Sequence, residues 1–291
     1  MAPQNRRRCL RPAHGLRAGG GLLVLLLALT GCSTGQVERF GWPAGVTPQA
    51  ERMLHLWQAA VWAALVVGVI VWGLIFWCVI RYRKKSDEMP KQVRYNLPVE
   101  LLYTVTPLLI VAVLFFYTAV DEDYVDKETK NPQVTVQVDA FRWNWKFSYP
   151  QARDAQGNII STVGSSQEIP VLVLPTNATI LFKEHSEDVI HSFWVPEFLF
   201  KRDVIPGVNN SFELTITKTG AYVGRCAEFC GTYHSQMNFE VRAVSPADYQ
   251  AFLQAKESGK TTAQSLVAIG QPPDAVTTHP FATDRTQRSA S

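Results

Sequence analysis

The sequence predicts a membrane α plus all-β fold: an N-terminal two-helix transmembrane hairpin followed by an exported antiparallel β-sandwich or barrel. Three observations predict it. Two long runs, Leu56 to Ile80 and Leu101 to Val120, contain no charged residue. From Pro132 to Ser245 the pattern changes to period-two alternation broken by turn residues. Two short patches are dense in basic residues, one at the start of the chain and one between the apolar runs. Over 291 residues, 47% hydrophobic and 18% charged, the net charge is only +3, which gives no reason to expect a nucleic-acid partner.

The first element, residues 1–31, has an Arg-rich start, the apolar run Leu22 to Leu29 and small residues before Cys32, the layout of a secretory signal. The apolar run is too short to span a bilayer. Leu29-Thr30-Gly31-Cys32 resembles a bacterial lipobox, which implies a signal peptide cleaved before Cys32 and a lipid on that cysteine. An ordinary cleaved signal with an incidental cysteine is the alternative. Residues 32–55 then form an exported N-terminal segment.

Residues 56–80 and 101–120 are each long enough, at ~1.5 Å per residue, to cross a ~30 Å hydrocarbon layer as a helix. Pro107 is tolerable there because neighbouring helices can satisfy the freed carbonyl. The loop between them, residues 81–100, carries Arg81, Arg83, Lys84, Lys85, Lys91 and Arg94, and the positive-inside rule places it in the cytoplasm. Both ends of the hairpin therefore face outward, in agreement with an exported Cys32.

Residues 121–245 form the exported β domain. Its runs are VTVQVDAFRWNWKFSY, EIPVLVLP, ATILFKEH, SFELTIT and MNFEVRAV, with turn signals at Pro175-Thr176-Asn177, Pro206-Gly207 and Thr219-Gly220. Residues 246–291 follow, with helical spacing from Pro246 to Gly259 and then a tail rich in Thr, Pro, Ala, Ser and Gln that composition predicts to be disordered.

The chemistry concentrates in GRCAEFCGTYHSQM, Gly224 to Met237. The five cysteines are an odd number with no disulfide framework among them. Cys226 and Cys230, with His234 and Met237, offer two thiols, an imidazole and a thioether, a soft donor set that favours copper over magnesium, calcium or manganese. Structural zinc is the rival, although the CxxC spacing usual for zinc is absent and methionine favours copper. A single blue copper needs one thiolate and two histidines, so the second cysteine points to two bridged metal ions. His191, in SEDVIHSFWVP, is the candidate for the second imidazole, ahead of His185. A disulfide between the two cysteines is the remaining alternative, and it leaves His234 and Met237 unexplained.

Together with HSFWVPEF and KRDVIPG, this motif resembles subunit II of bacterial cytochrome c oxidases, in the haem-copper oxidase superfamily and most like its actinobacterial branch. The resemblance runs from the two spans to about Ser245. It implies a cupredoxin domain, a Greek-key β-barrel or sandwich, holding the dinuclear copper centre CuA. His191 and His234 each bind one copper, Cys226 and Cys230 bridge both, Met237 is a weak ligand and Glu228 contributes its backbone carbonyl. The same resemblance links the Glu228 side chain to Mg2+ at the contact with subunit I. It makes Trp143 the aromatic through which electrons arrive, and Glu100 the mouth of a proton channel into subunit I.

The partners it implies are oxidase subunits I and III, membrane lipid, and cytochrome c or a membrane-bound dihaem cytochrome. Acidic Glu187, Asp188 and Glu197 are candidates to attract a basic donor. The resemblance further implies that oxygen is reduced to water in subunit I, coupled to proton translocation, at the bacterial cell membrane. No CxxCH occurs, so no haem is attached to this chain. A copper carrier, an enzyme like nitrous oxide reductase and a zinc lipoprotein are the competing classes; the first needs no two spans, and the second needs a large further copper domain.

Overall fold

The computed structural model describes residues 34–280, so Cys32 and the leader lie outside the described residues. Among the described residues, those before Pro43 belong to a unit of their own, which includes helix α1 (Thr34–Glu38).

Helix α2 (Pro48–Arg81) starts eight residues ahead of the apolar run because Thr47 caps it: its Oγ1 accepts from Ala50 N–H at 2.9 Å, and Pro48 sits in the first turn. Its 34 residues span ~50 Å, more than the ~30 Å of a hydrocarbon layer. The surplus at the outward end carries Gln49, Glu51, Arg52 and His55.

Helix α3 (Leu97–Val125) likewise outruns the apolar stretch at both ends. Glu100, expected as the last loop residue, lies in its first turn, where Oε1 accepts from Asn96 N–H at 3.0 Å. At the outward ends of the pair, Arg52 reaches Asp121 at 3.2 Å and lies 4.1 Å over the Tyr124 ring. Between the ends, large apolar side chains such as Trp62, Val69, Trp72, Leu102, Leu108 and Phe115 are exposed, as a lipid-facing surface requires.

The β domain has ten strands where the sequence marks five runs. The longest run, Val134 to Tyr149, is not one strand: β1 (Val134–Phe141) and β2 (Asn144–Arg153) form a hairpin that turns at Arg142-Trp143, with Phe141 opposite Asn144. The sequence alternation of Phe141, Trp143, Trp145, Phe147 and Tyr149, expected along one strand, therefore crosses a turn. Then come β3 (Ile159–Val163), β4 (Val171–Pro175), β5 (Thr179–Ser186), β6 (His191–Val195), β7 (Phe200–Val204), β8 (Asn210–Thr215), β9 (Gly220–Cys226) and β10 (Asn238–Val244). β3, β6 and β7 have five residues each, too few alternations to stand out in the sequence.

Two five-stranded sheets result, ordered β3-β2-β1-β5-β8 and β4-β10-β9-β6-β7. One parallel pair in each, β1 with β5 and β10 with β4, interrupts the antiparallel pairing. Between the sheets lies an aromatic core of Trp145, Phe147, Phe182, Phe193, Phe212 and Phe239, all at most 1% exposed. Phe182 stacks on Phe212 at 4.5 Å, and Phe193 packs on Phe239 at 4.7 Å. Such ring pairs add to the area they bury.

The tail expected to be disordered is ordered as far as it is described. After α4 (Pro246–Glu257), a capping box of Thr261 and Gln264 starts α5 (Thr262–Ala268). Residues 271–277 then cross the outer face of β10, where Glu240 accepts from Val276 N–H and Thr277 N–H at 2.7 and 2.8 Å. Composition misses this because the partner of the strap is a buried ion pair, Glu240 with Arg242.

Candidate metal centre

Three neighbouring strands of the second sheet deliver the donors to one end of the sandwich. His191 opens β6, Cys226 ends β9, and Met237 directly precedes β10. The loop between β9 and β10 folds over the strand ends and brings Cys230 and His234 with it. Backbone bonds hold it there: Cys226 N–H donates to Met237 O at 3.1 Å, and Ala227 N–H to Ser192 O at 3.0 Å. Gly231 is needed in this loop, because it adopts φ +120° and a Cβ there would meet the Trp143 ring at 3.3 Å.

The donor atoms fall into two sets around a shared pair of sulfurs. Cys226 Sγ and Cys230 Sγ are 3.8 Å apart, both thiols are free, and both are buried. On one side Cys226 Sγ has His191 Nδ1 at 3.8 Å and Glu228 O at 3.2 Å. On the other, Cys230 Sγ has His234 Nδ1 at 3.6 Å and Met237 Sδ at 3.8 Å. His191, Cys226 and Cys230 alone place their ligand atoms within 4.8 Å of one another. A tetrahedral zinc site takes four donors around one point. The six donors here form two sets that share the two sulfurs, and their softness suits copper.

The surroundings are set up for ligation. Burial, reinforced by neighbouring Cys226, pushes the Cys230 thiol up to about 12, so a cation is needed to displace its proton. Asp188 is pulled the other way. Desolvation raises it, but hydrogen bonds from His191, Arg142 and Val189 outweigh that and bring it down to about 2. Its Oδ1 lies 2.9 Å from His191 Nε2. Trp143, in the β1–β2 turn, is half-buried rather than fully exposed; Nε1–H donates to Cys230 O at 3.1 Å and its ring meets Tyr233 edge-on at 4.9 Å. Beneath the site, Trp145 Nε1–H donates to Met237 O at 3.2 Å.

Of the residues singled out in the sequence, His191, Cys226, Glu228, Cys230, His234, Met237 and Trp143 come together here. Glu100 does not, since it sits at the far end of α3. His185 is set apart from the sulfurs, with Nε2 3.9 Å from Glu187 on a half-exposed side chain. Among the three acids named as donor attractants, Asp188 is engaged by Arg142, and Glu197 belongs to the end of the domain that meets the helices, where its carbonyl accepts from Val46 N–H at 3.1 Å. Sequence reasoning missed Arg142 and the support from Trp145. The signal for Trp145 was present, an indole at an inward position of a strand, but its partner carbonyl lies 92 residues away.

Family models for cytochrome C oxidase subunit II match two segments of the chain: the transmembrane-domain model over residues 36–119 and the periplasmic-domain model over residues 134–244. The chain is similar to cytochrome c oxidase subunit 2 of Mycobacterium tuberculosis, with 45% identity across 94% of this chain and 91% of that one. It is similar also to that of Corynebacterium glutamicum, with 41% identity across 98% of this chain and 97% of that one. Among solved structures it resembles the periplasmic domain of subunit II of cytochrome oxidase from Bradyrhizobium japonicum, at 26% identity and a TM-score of 0.38, covering 44% of this chain and 96% of that one.

Proposed function

The chain belongs to the cytochrome c oxidase subunit II family, and on that premise we propose that it receives electrons at a dinuclear copper centre and passes them to the haem of subunit I. It is a membrane protein with an outward-facing domain, and its donor set suits copper. The observation that carries the dinuclear reading is the pair of donor sets sharing two sulfurs 3.8 Å apart. Cys226 and Cys230 would hold the copper as thiolates, His191 and His234 would supply one nitrogen each, and Met237 and the Glu228 carbonyl would complete the donor set. When bound, a copper pair bridged in this way shares one added electron over both metals, which keeps bond rearrangement small. The residues do the rest: strand-mounted ligands stay where the sheet puts them, and the buried aromatic floor excludes water.

Further assignments follow the same family reading. Trp143 is the point of electron arrival, since its indole already bonds the carbonyl of Cys230. The Glu228 side chain, half-exposed beside the site, links to Mg2+ at subunit I. Glu100 opens a proton channel at the cytoplasmic end of α3. Residues 1–31 are a signal peptide and Cys32 carries the lipid, so that the mature chain is anchored at its N-terminus and spans the membrane twice. Its partners are subunits I and III and either a cytochrome c or a membrane-bound dihaem cytochrome.

The test is electron paramagnetic resonance of the purified, partly oxidised oxidase. Hyperfine structure from two equivalent copper nuclei is the expected result. A single-nucleus pattern or silence overturns the dinuclear assignment, and Cys226→Ser or Cys230→Ser should abolish the two-nucleus pattern.

A further inference from the structure

Asp188 joins three segments of the chain. Its Oδ1 accepts from Val189 N–H at 2.7 Å and faces His191 Nε2 at 2.9 Å. Its Oδ2 accepts from Arg142 twice, from the backbone N–H at 2.8 Å and from Nε–H at 3.2 Å. The bond to Val189 is local and belongs to the bend itself. The others reach outward, one to a metal-ligand candidate and two to the turn that carries Trp143. That turn is held from its other side by the bond from Trp143 Nε1–H to Cys230 O.

A purely structural role for Asp188 is disfavoured by what already holds its segment. Glu187 N–H donates to Ala140 O at 3.0 Å, and Ser186 Oγ–H to Val189 O at 2.5 Å. The bend stands without the outward bonds. The two imidazoles also differ: His191 is fully buried with a carboxylate on its far nitrogen, whereas His234 is half-exposed and its far nitrogen has no hydrogen-bond partner among the described residues. A carboxylate on the far nitrogen of a ligating imidazole fixes its tautomer and raises its basicity.

We propose that Asp188 is a positioning residue for two groups at once: it turns His191 Nδ1 toward Cys226, and through Arg142 it fixes the Trp143 turn over Cys230. This rests on the copper reading above. The consequence is that metal affinity and electron arrival share one carboxylate yet can be separated by mutation. Asp188→Asn removes the charge from both arms. Arg142→Met removes only the guanidinium and leaves Asp188 on His191.

The experiment compares both variants in the purified oxidase and in the metal-free full-length chain in detergent. With Asp188→Asn, copper affinity falls roughly tenfold or more, the midpoint potential of the centre rises, and nitrogen NMR of the metal-free chain shows His191 as a mixture of tautomers in place of a single Nε2–H form. With Arg142→Met, affinity, potential and tautomer stay at parent values while electron uptake from the donor slows severalfold. Asp188→Glu restores the single tautomer. Parent-like affinity, potential and tautomer in Asp188→Asn overturn the proposal, as does unchanged electron uptake in Arg142→Met. Should Asp188→Asn block oxidase assembly, the tautomer readout decides by itself, because it needs neither copper nor the other subunits. A parent oxidase without the two-nucleus spectrum sinks the copper reading, and the tautomer readout still reports on Asp188.

Discussion

The most deeply buried glutamate of each sheet, Glu240 in the second and Glu184 in the first, is handled in the opposite way to the other. Glu240, on β10 of the second sheet, is fully buried and accepts on both oxygens, from Arg242 on one and from the backbone and hydroxyl of the tail strap on the other. Arg242 in turn donates to the carbonyls of Pro272 and Asp274 and to Gln271 Oε1. Glu184, on β5 of the first sheet, is 2% exposed and neither of its oxygens has a hydrogen-bond partner among the described residues. The nearby Arg202 is engaged elsewhere, paired with Asp126 at the end of α3 and lying 5.0 Å over the Phe200 ring. Burial therefore pushes Glu184 up to about 9, with Arg202 opposing the shift and Asp203 adding to it. Residue type and depth are the same in the two regions; the supply of donors decides the outcome.

The largest way to break the contrast is to treat Glu240 as though it were dispensable. Glu240→Ala leaves Arg242 buried without its counter-charge, and the expected loss is about 3–5 kcal/mol in stability, read as a lower urea midpoint with release of the strap to protease.

Glu184→Gln should sharpen the contrast from the other side. Between pH 4.5 and about 9 the native state holds a proton on Glu184 that the unfolded chain has lost. Stability therefore falls as pH rises through that window. The glutamine variant lacks this slope, so it should match the parent near pH 4.5 and exceed it by on the order of 3 kcal/mol at pH 7, as thermal unfolding across pH would show. A difference that shrinks with rising pH contradicts the neutral state of Glu184.

The smallest effect tests whether the strap is redundant. Thr277→Ala removes the hydroxyl donor at 2.8 Å from Glu240 and leaves two backbone donors in place. The expected cost is about 1 kcal/mol, read as a small fall in the same urea midpoint with the strap still protected.

Much of the site was legible because its chemistry is written in side chains. Cysteine, histidine and methionine crowded into one loop are hard to explain as core packing, and the spacing from Cys226 to Met237 is short enough to predict one cluster. The β domain was legible in β1, β4, β5, β8 and β10, whose apolar residues alternate or run together. It was not legible in β3, β6 and β7, where five residues carry too little periodicity, nor in β9, where Gly220, Gly224 and Arg225 break the pattern. The Arg142-Trp143 turn was read as strand because it lacks the glycine, proline or asparagine that usually marks a turn. The strap was missed for a different reason, since its order derives from Glu240 and Arg242 rather than from its own composition.

By itself the sequence determined the class of the molecule: charge-free runs long enough to span a bilayer, a basic loop between them, an alternating domain beyond, and a soft donor set. These are local properties, carried by residue type and spacing. Only the tertiary structure decided that His191 faces Cys226 with Asp188 behind it, that Trp143 reaches the carbonyl of Cys230, and that one deeply buried glutamate meets donors on both oxygens while the other meets none. Those outcomes depend on which groups meet across the sheets, from positions 46 residues apart for Arg142 and Asp188 and 87 apart for Trp143 and Cys230. Hydrogen bonds and desolvation act over a few ångströms, so their results are settled only once the fold has brought such distant residues together.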